Sequence, residues 1–423
     1  MDKVNPESVG VSSERLARVS QWLEQQISSE RLAGASVMLS RRGKVAYFNS
    51  AGVVDLESGS EFGEDTIVRI YSMTKPITTV AAMMLYEQGH FQLDDPVAMH
   101  IPAFAETRVW AGGDADITST EVMQNPMTVR QLMTHTSGLT YSFMRSNVVD
   151  REYRHRKIVV PSQIPDLEQW VNELAAIPLM CQPGTQWNYS VSTDVLGRLV
   201  EIWSGQSLAE FFQECILNPL SMRDTGFQVE PKNHSRFASL YAPLSGGDLS
   251  NVGQQTVSAQ IREGGLLLQE SASESSVLNP TALFSGGGGL TSSIGDYSLF
   301  CQMLLNGGEL DGVRLLSPKT VAFMRRNQLP DNRDMAAMGQ PMWSETSYEG
   351  IGFGLGFAVV IDPVKAHTIT SVGEHHWGGA ASTFFWIDPA EDLYVVFLAQ
   401  LIPSSTYPIR RELRARIYQT LID

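Results

Sequence analysis

The sequence predicts an α/β (α+β) fold, an antiparallel sheet flanked by N- and C-terminal helices with a second, mainly helical domain. Three observations predict it. Strand-like runs lie near both ends of the chain, helix punctuation fills its middle, and an apolar stripe of helical spacing lies outside the strands at each terminus. At 423 residues the chain is long enough for two or three domains, or for one core with a large insertion, without staples. Its 43% hydrophobic and 18% charged residues match an ordinary globular protein. The expected α/β domain is discontinuous, over 1–97 and 206–423, with the helical domain over 98–205.

In chain order, Leu16, Val19, Leu23 and Ile27 repeat at three or four residues, with Ser12 or Ser13 available as N-cap. Two strand-like runs follow, Ala35 to Arg41 and Lys44 to Ala51, joined as a hairpin at Arg42-Gly43. Thr128-x-x-Gln131 is a capping-box pattern opening a short helix that stops at Gly138. Ser192 or Thr193 caps a helix carrying Leu196, Leu199, Val200 and Trp203 and ending at Gly205. From Asn233 to Asn279 the chain turns polar and reads as long loops. Gly352 to Ile361, His367 to Val372, Ser382 to Ile387 and Leu393 to Gln400 read as strands, and a turn at Asp388 to Asp392 separates the last two. Ile409, Leu413, Ile417 and Leu421 mark a closing helix.

Charge and composition exclude several classes. Lys plus Arg is 31 against 46 Asp plus Glu, a formal charge of −15. That balance argues against nucleic acid, which needs a basic surface to neutralise phosphates, and against an anionic membrane face. The apolar runs, such as Val395 to Ala399, fall far short of the roughly 20 residues of a spanning helix. The N-terminal residues lack the basic and apolar regions of an export signal, so a cytoplasmic location is the expectation. With 3 cysteines there is no disulfide scaffold. Cys215 and Cys301 fall on helical apolar stripes and read as core, while Cys181, in a loop, is the candidate for exposure. No metal cluster at ligand spacing is visible, no cofactor is expected, and the oligomeric state is left open.

The strongest chemical signal is Tyr71-Ser72-Met73-Thr74-Lys75-Pro76. A serine and a lysine three residues apart on a helix share one face, with Cβ atoms about 5–6 Å apart. A serine hydroxyl is a poor nucleophile until a neighbouring base takes its proton, and a desolvated lysine can be that base. Ile77, Val80, Ala81, Met84 and Leu85 form an apolar stripe behind it, and Pro76 is tolerated only in a first turn, so the helix starts near Ser72. This places the Ser72 amide among the unpaired N–H groups of a helix start, where an oxyanion is stabilised. Taken alone, the spacing is ambiguous and is more often that of a capping serine and a solvated lysine.

Other segments resolve that ambiguity. They are the Pro183 to Ser190 loop with Tyr189, Gly373 to Ala380 with Trp377-Gly378-Gly379, Leu132 to Leu139, and Phe284 to Leu290. In this order and spacing the chain resembles the serine β-lactamase and penicillin-binding-protein superfamily, and within it the family VIII carboxylesterases. The resemblance runs from about Ala35 to Gln400 and implies a β-lactamase-like fold. It implies Ser72 as acylated nucleophile, Lys75 as its partner, and Tyr189 as general base or proton relay to the leaving group. It implies an oxyanion hole from the Ser72 N–H and that of Ala380, or alternatively of Gly379. Trp377, Gly378 and Gly379 stand where the penicillin-recognising members carry Lys-Thr-Gly on the edge strand beside the site, and so line the substrate.

Two departures set the expected substrate. Tyr189-Ser190-Val191 lacks the Asn of Tyr-x-Asn, and Trp377 replaces the cation that binds a substrate carboxylate. Both favour neutral esters, so the expectation is hydrolysis of short-chain carboxylic esters through an acyl-serine, with at most weak action on cephalosporins. An acyltransferase using the same acyl-enzyme and a D-amino-acid peptidase or amidase are the alternatives, and the three site residues disfavour a non-enzymatic sensor. His135 reads as structural, favoured by the helix dipole. His375 and His376 face opposite ways on a strand, with the pocket at their border. Asp194 reads as a first-turn helix charge. The Gly286–Gly289 run and Gly352-x-Gly354-x-Gly356 lack nucleotide-loop context and read as backbone crowding in a sheet.

Overall fold

The computed structural model describes residues 3–158, 164–244, 264–339 and 348–423. Helix α1 (Ser13–Ser28) opens on Ser12, whose hydroxyl accepts from the Arg15 N–H. Strands β1 (Gly34–Arg41) and β2 (Lys44–Gly52) then form the expected hairpin. Arg42 and Gly43 both take positive φ, 53° and 70°, matching the twist of a tight hairpin turn. Helix α2 (Thr74–Glu87), α3 (Ser192–Ser204) and α4 (Ile294–Leu305) follow. The C-terminal part supplies β3 (Ile351–Phe353), β4 (Ala358–Val360), β5 (His375–Gly378), β6 (Phe384–Asp388), β7 (Leu393–Ala399) and α5 (Ile409–Tyr418).

These seven strands make one antiparallel sheet in the order β3-β4-β5-β6-β7-β1-β2. The first hairpin therefore joins the last strand, with Val37 opposite Phe397. Alternation along each strand feeds two cores. Val37, Leu39, Val395 and Phe397 pack beneath Leu16, Val19 and Leu23 of α1 and Leu413 and Ile417 of α5. Met38, Val396, Leu398 and Phe385 face the opposite way, into a core that takes in α4 and the apolar residues of α2 from Ile77 to Leu85. That second core continues through Leu132, Trp170, Leu196 and Leu199, so the helical segments and the sheet share one apolar cluster. Among the described residues no helix is long and apolar enough to cross a membrane.

Several elements differ from the sequence reading. Gly352 to Ile361 is two short strands rather than one, because Gly356 at φ 91° reverses the chain between them. His367 to Val372 is no strand. The Asp362 carboxylate accepts the Val364 and Lys365 amides to make a turn, and His367 sits at φ 50°. The strand lies just beyond, as β5. The helix opened by the Thr128 capping box ends at Thr134, short of Gly138, since His135 takes φ 56°. Ser192 is the first residue of α3, and its amide is received by the Ser190 hydroxyl. The polar stretch from Asn233 to Asn279 contains a hairpin, Leu240–Pro243 with Leu266–Glu270, while its 245–263 portion lies outside the described residues. Cys181 is buried, against expectation, and Cys215 is the partly exposed cysteine; all three are free.

Candidate active site

Tyr71–Met73 form a single tight turn ahead of α2, and the Tyr71 backbone takes a left-handed φ of 43°. A residue with a Cβ rarely holds this conformation, which sets the direction in which Ser72 enters the helix. Pro76 is the third residue of α2, where no intrahelical bond is lost. Ser72 and Lys75 therefore meet, with Lys75 Nζ donating to Ser72 Oγ at 3.1 Å. Lys75 is 1% exposed, and its other two N–H groups donate to Tyr141 Oη (2.9 Å) and the Gly287 carbonyl (2.7 Å).

Tyr189 reaches the same hydroxyl from the opposite side. Its Oη donates to Ser72 Oγ at 2.6 Å, and its ring lies 4.6 Å from Lys75 Nζ. Asn188 anchors that loop, its amide received by the His135 carbonyl and its side chain donating to Leu139 O. His135 is buried against Tyr189, Trp187 and Phe353, with Nδ1 3.1 Å from Ser190 Oγ. Burial, then the Lys75 charge, hold its pKa well below the usual histidine value. His135 is thus structural as expected, but through aromatic packing of a neutral ring rather than through a helix dipole.

The β5 strand forms the far wall. Strand β4 pairs with His375 and His376 and stops there, so among the described residues the outer edge of Trp377 and Gly378 has no neighbouring strand, which is how an inner strand borders the site. Trp377 is buried, and its indole N–H donates to Tyr189 Oη at 3.3 Å. A Cβ on Gly379 would meet the Ile70 carbonyl at 2.4 Å, so only glycine lets the strand approach the turn bearing Ser72. Neither the Ser72 N–H nor the Ala380 N–H donates to a backbone acceptor among the described residues, while the Gly379 N–H is taken by Thr383 O. This favours Ala380 over Gly379 as the second free amide. His375 packs on Phe357, and His376, on the other face, lies 2.7 Å from Glu374 Oε1.

Three features escaped the sequence reading. Tyr141, three residues beyond Gly138, touches Lys75; burial, then the neighbouring Tyr189 and Asp194, push its pKa well above that of a free phenol. Asp194 is in the first turn of α3 as expected, yet it is buried and accepts from Ser285 Oγ (2.5 Å) and the Gly287 N–H (3.0 Å). The Gly286–Gly289 run is therefore a tight turn pressed on α3 and not part of a sheet; a Cβ on Gly286 would meet Thr193 O at 2.7 Å. From Ser72 and Ala380 the site opens into two arms. One is a cavity of about 610 Å³, lined on its apolar side by Phe143, Val191, Phe227 and Leu283. The other is narrow and bordered by Trp377, His376 and Arg410. Among the described residues no group of three His, Cys, Asp or Glu is placed to hold a metal ion.

A serine in the turn that opens a helix, touching a buried lysine and a tyrosine and facing a free amide just past the end of a sheet strand, defines a serine hydrolase. The chain belongs to the beta-lactamase family, which it matches over residues 19–419. It is 32% identical over 409 residues to Esterase EstB of Burkholderia gladioli, covering 95% of each chain. It is 26% identical over 362 residues to Monacolin J acid methylbutanoyltransferase of Aspergillus terreus, covering 82% of this chain and 80% of that one. Among solved structures it is similar to EstCE1, a hydrolase with promiscuous acyltransferase activity, with a TM-score of 0.76 and 27% identity over 96% of this chain and 99% of the other.

Proposed function

We propose that the protein is a serine carboxylesterase acting on neutral small-molecule esters of short acids through an acyl–Ser72 intermediate. The observation that carries this reading is that Lys75 Nζ and Tyr189 Oη both lie within hydrogen-bond distance of Ser72 Oγ, at 3.1 and 2.6 Å. Ser72 Oγ attacks the ester carbonyl while its proton passes into the Lys75–Tyr189 pair. The carbonyl oxygen, gaining charge, is received by the Ser72 and Ala380 amides. Tyr189 returns a proton to the departing alkoxide, and water, activated by the same pair, releases the acid. Trp377, Gly378 and Gly379 wall the substrate without supplying a cation at position 377, and Val191 contributes an apolar face where an amide would favour lactams. The expected test is Ser72→Ala, which should lose ester turnover by several orders of magnitude with an unchanged fold. A serine-directed phosphonate should label the Ser72 peptide; a label elsewhere, or an active alanine variant, overturns the assignment.

A second reading, acyl transfer to an alcohol, is favoured by the 610 Å³ cavity opening beside Ser72, which has room for an acceptor as well as an ester. The relatives named for acyl transfer point the same way. The partition of the acyl group between water and added alcohols measures it.

A further inference from the structure

We infer that Asp194 is a positioning residue for Lys75: through the Gly287 backbone it fixes the carbonyl that holds the lysine, and its carboxylate balances the buried ammonium. This rests on Lys75 acting as the base of the proposed esterase.

Lys75 sits in the apolar core at 1% exposure, and an ammonium so placed is costly without compensation. Its Ser72 and Tyr141 partners are neutral hydroxyls, and each can either accept from an amine or donate to it. Gly287 O can only accept, so it alone pins one N–H of Lys75 in both protonation states. The four-glycine turn has no side chains of its own; the Thr78 hydroxyl donates to the Gly286 carbonyl and the Ser285 carbonyl accepts the Gly288 and Gly289 amides, which fixes its two ends. Asp194 adds the hold on Gly287 itself, since Oδ1 takes the Ser285 hydroxyl and the Gly287 N–H, one on each side of Gly286. The fit is close enough that a Cβ on Gly287 would lie 2.4 Å from Asp194 Oδ2. The groups that face Lys75 are Ser72, Tyr141, Tyr189, His135 and Asp194. His135 is kept neutral and Tyr141 is kept protonated, which leaves Asp194 as the carboxylate of the set. Burial dominates and leaves the Asp194 pKa raised, with the Ser285 hydroxyl, the Lys75 charge and the Gly287 amide opposing it, so the lysine lowers the cost of burying this carboxylate.

Two measurements test this. Asp194→Asn keeps the shape and an acceptor oxygen but removes the charge. If Lys75 must lose its proton to act, the acid limb of kcat/KM for a nitrophenyl butyrate should move down by about one pH unit. The same variant should lose about tenfold in kcat with KM within about twofold. A limb that stays in place, whatever the loss of activity, overturns the proposal. The second measurement is Tm for Lys75→Met, Asp194→Asn and the double variant. Each single change leaves one buried charge unbalanced, so the double variant should melt no lower than either, and should fold even where Asp194→Asn alone does not. Additive losses, or a double variant that fails to fold, overturn it. Phosphonate labelling of wild-type Ser72 separates the two levels: a labelled serine with an unmoved limb refutes the role of Asp194, and an unlabelled one refutes the esterase reading beneath it.

Discussion

Replacing Trp377 with Phe isolates one hydrogen bond at the centre of the site. The indole N–H donates to Tyr189 Oη at 3.3 Å, and the ring meets Tyr189 at 5.4 Å and Phe353 at 5.3 Å between centroids. Phe preserves both ring contacts and deletes the donor. If Tyr189 takes a proton from Ser72 only by passing it on, it stays a neutral phenol and the bond contributes about 0.5–1.5 kcal/mol equally before and during reaction. If negative charge develops on Oη in the transition state, the same donor stabilises it by about 1.5–3 kcal/mol. At 3.3 Å the bond is long, so the lower half of that range applies, about 1.5–2 kcal/mol. Such a loss is roughly 10–30-fold in rate. It should fall on kcat rather than KM, because the charge exists only in the transition state. The smaller ring also leaves a gap in a packed wall, lowering stability by about 1–2 kcal/mol. Steady-state kinetics on nitrophenyl butyrate, with melting curves on the same preparations, read both. A fall in kcat of less than about threefold would show that no charge develops on Tyr189, and a change confined to KM would make Trp377 a wall and nothing more.

Removal of Lys75 and Tyr189 should be strongly non-additive: Lys75→Ala and Tyr189→Phe each cost nearly as much ester turnover as the pair, whereas losses that multiply would mean separate roles. Tyr141→Phe removes one of three acceptors of a buried lysine and should lower kcat about tenfold while leaving KM near its original value, read by the same assay. Trp377→Lys should raise kcat/KM for a chromogenic cephalosporin relative to a short-chain ester, since it supplies a cation at position 377; an unchanged ratio would move the cause to Val191. Acid stability should depend on Glu374. Burial alone would raise its pKa, but Arg414 and His376 outweigh that and hold it at about 2, against 4.5 for a free carboxyl. A depressed pKa stabilises the fold above the unfolded value, so that contribution disappears as pH falls from about 4.5 towards 2, and Glu374→Gln should flatten the melting temperature across that window.

What was legible in the sequence was whatever is local. Ser72 and Lys75 are one helical turn apart, Tyr189 precedes a helix start, and Trp377-Gly378-Gly379 is a contiguous strip, so each is a short local segment whose order and spacing carry the family resemblance, though none is decisive alone. The alternation of the terminal strands showed for the same reason, since every second residue of β1 and β7 belongs to one core. Tyr141 and Asp194 did not show, because their meaning comes from residues far along the chain. Asp194 looks like any first-turn carboxylate until a glycine turn about ninety residues later closes over it. Cys181 looked exposed because it lies in a loop, and the Gly138 backbone packs against its carbonyl at a distance that a Cβ would reduce to 2.4 Å. The misplaced strand at His367 to Val372 had suitable β-formers, but the Asp362 turn ahead of it and the positive φ at His367 decided otherwise.

The pairing of β1 with β7 has a consequence for how the chain reaches its native state. All eight residues of β1 are buried, and its β7 edge is covered by a segment made more than three hundred residues later. During synthesis the β1–β2 hairpin therefore waits as an apolar ribbon with one unsatisfied ladder, the kind of edge that recruits other chains. Contacts of such sequence separation close slowly, because loop entropy is lost before the pairing compensates it. The reactive serine shares this schedule. Ser72 is made early, but Trp377 and the Ala380 amide arrive only with the last strands, so a nascent chain carries its nucleophile for most of its synthesis without the groups that make it reactive.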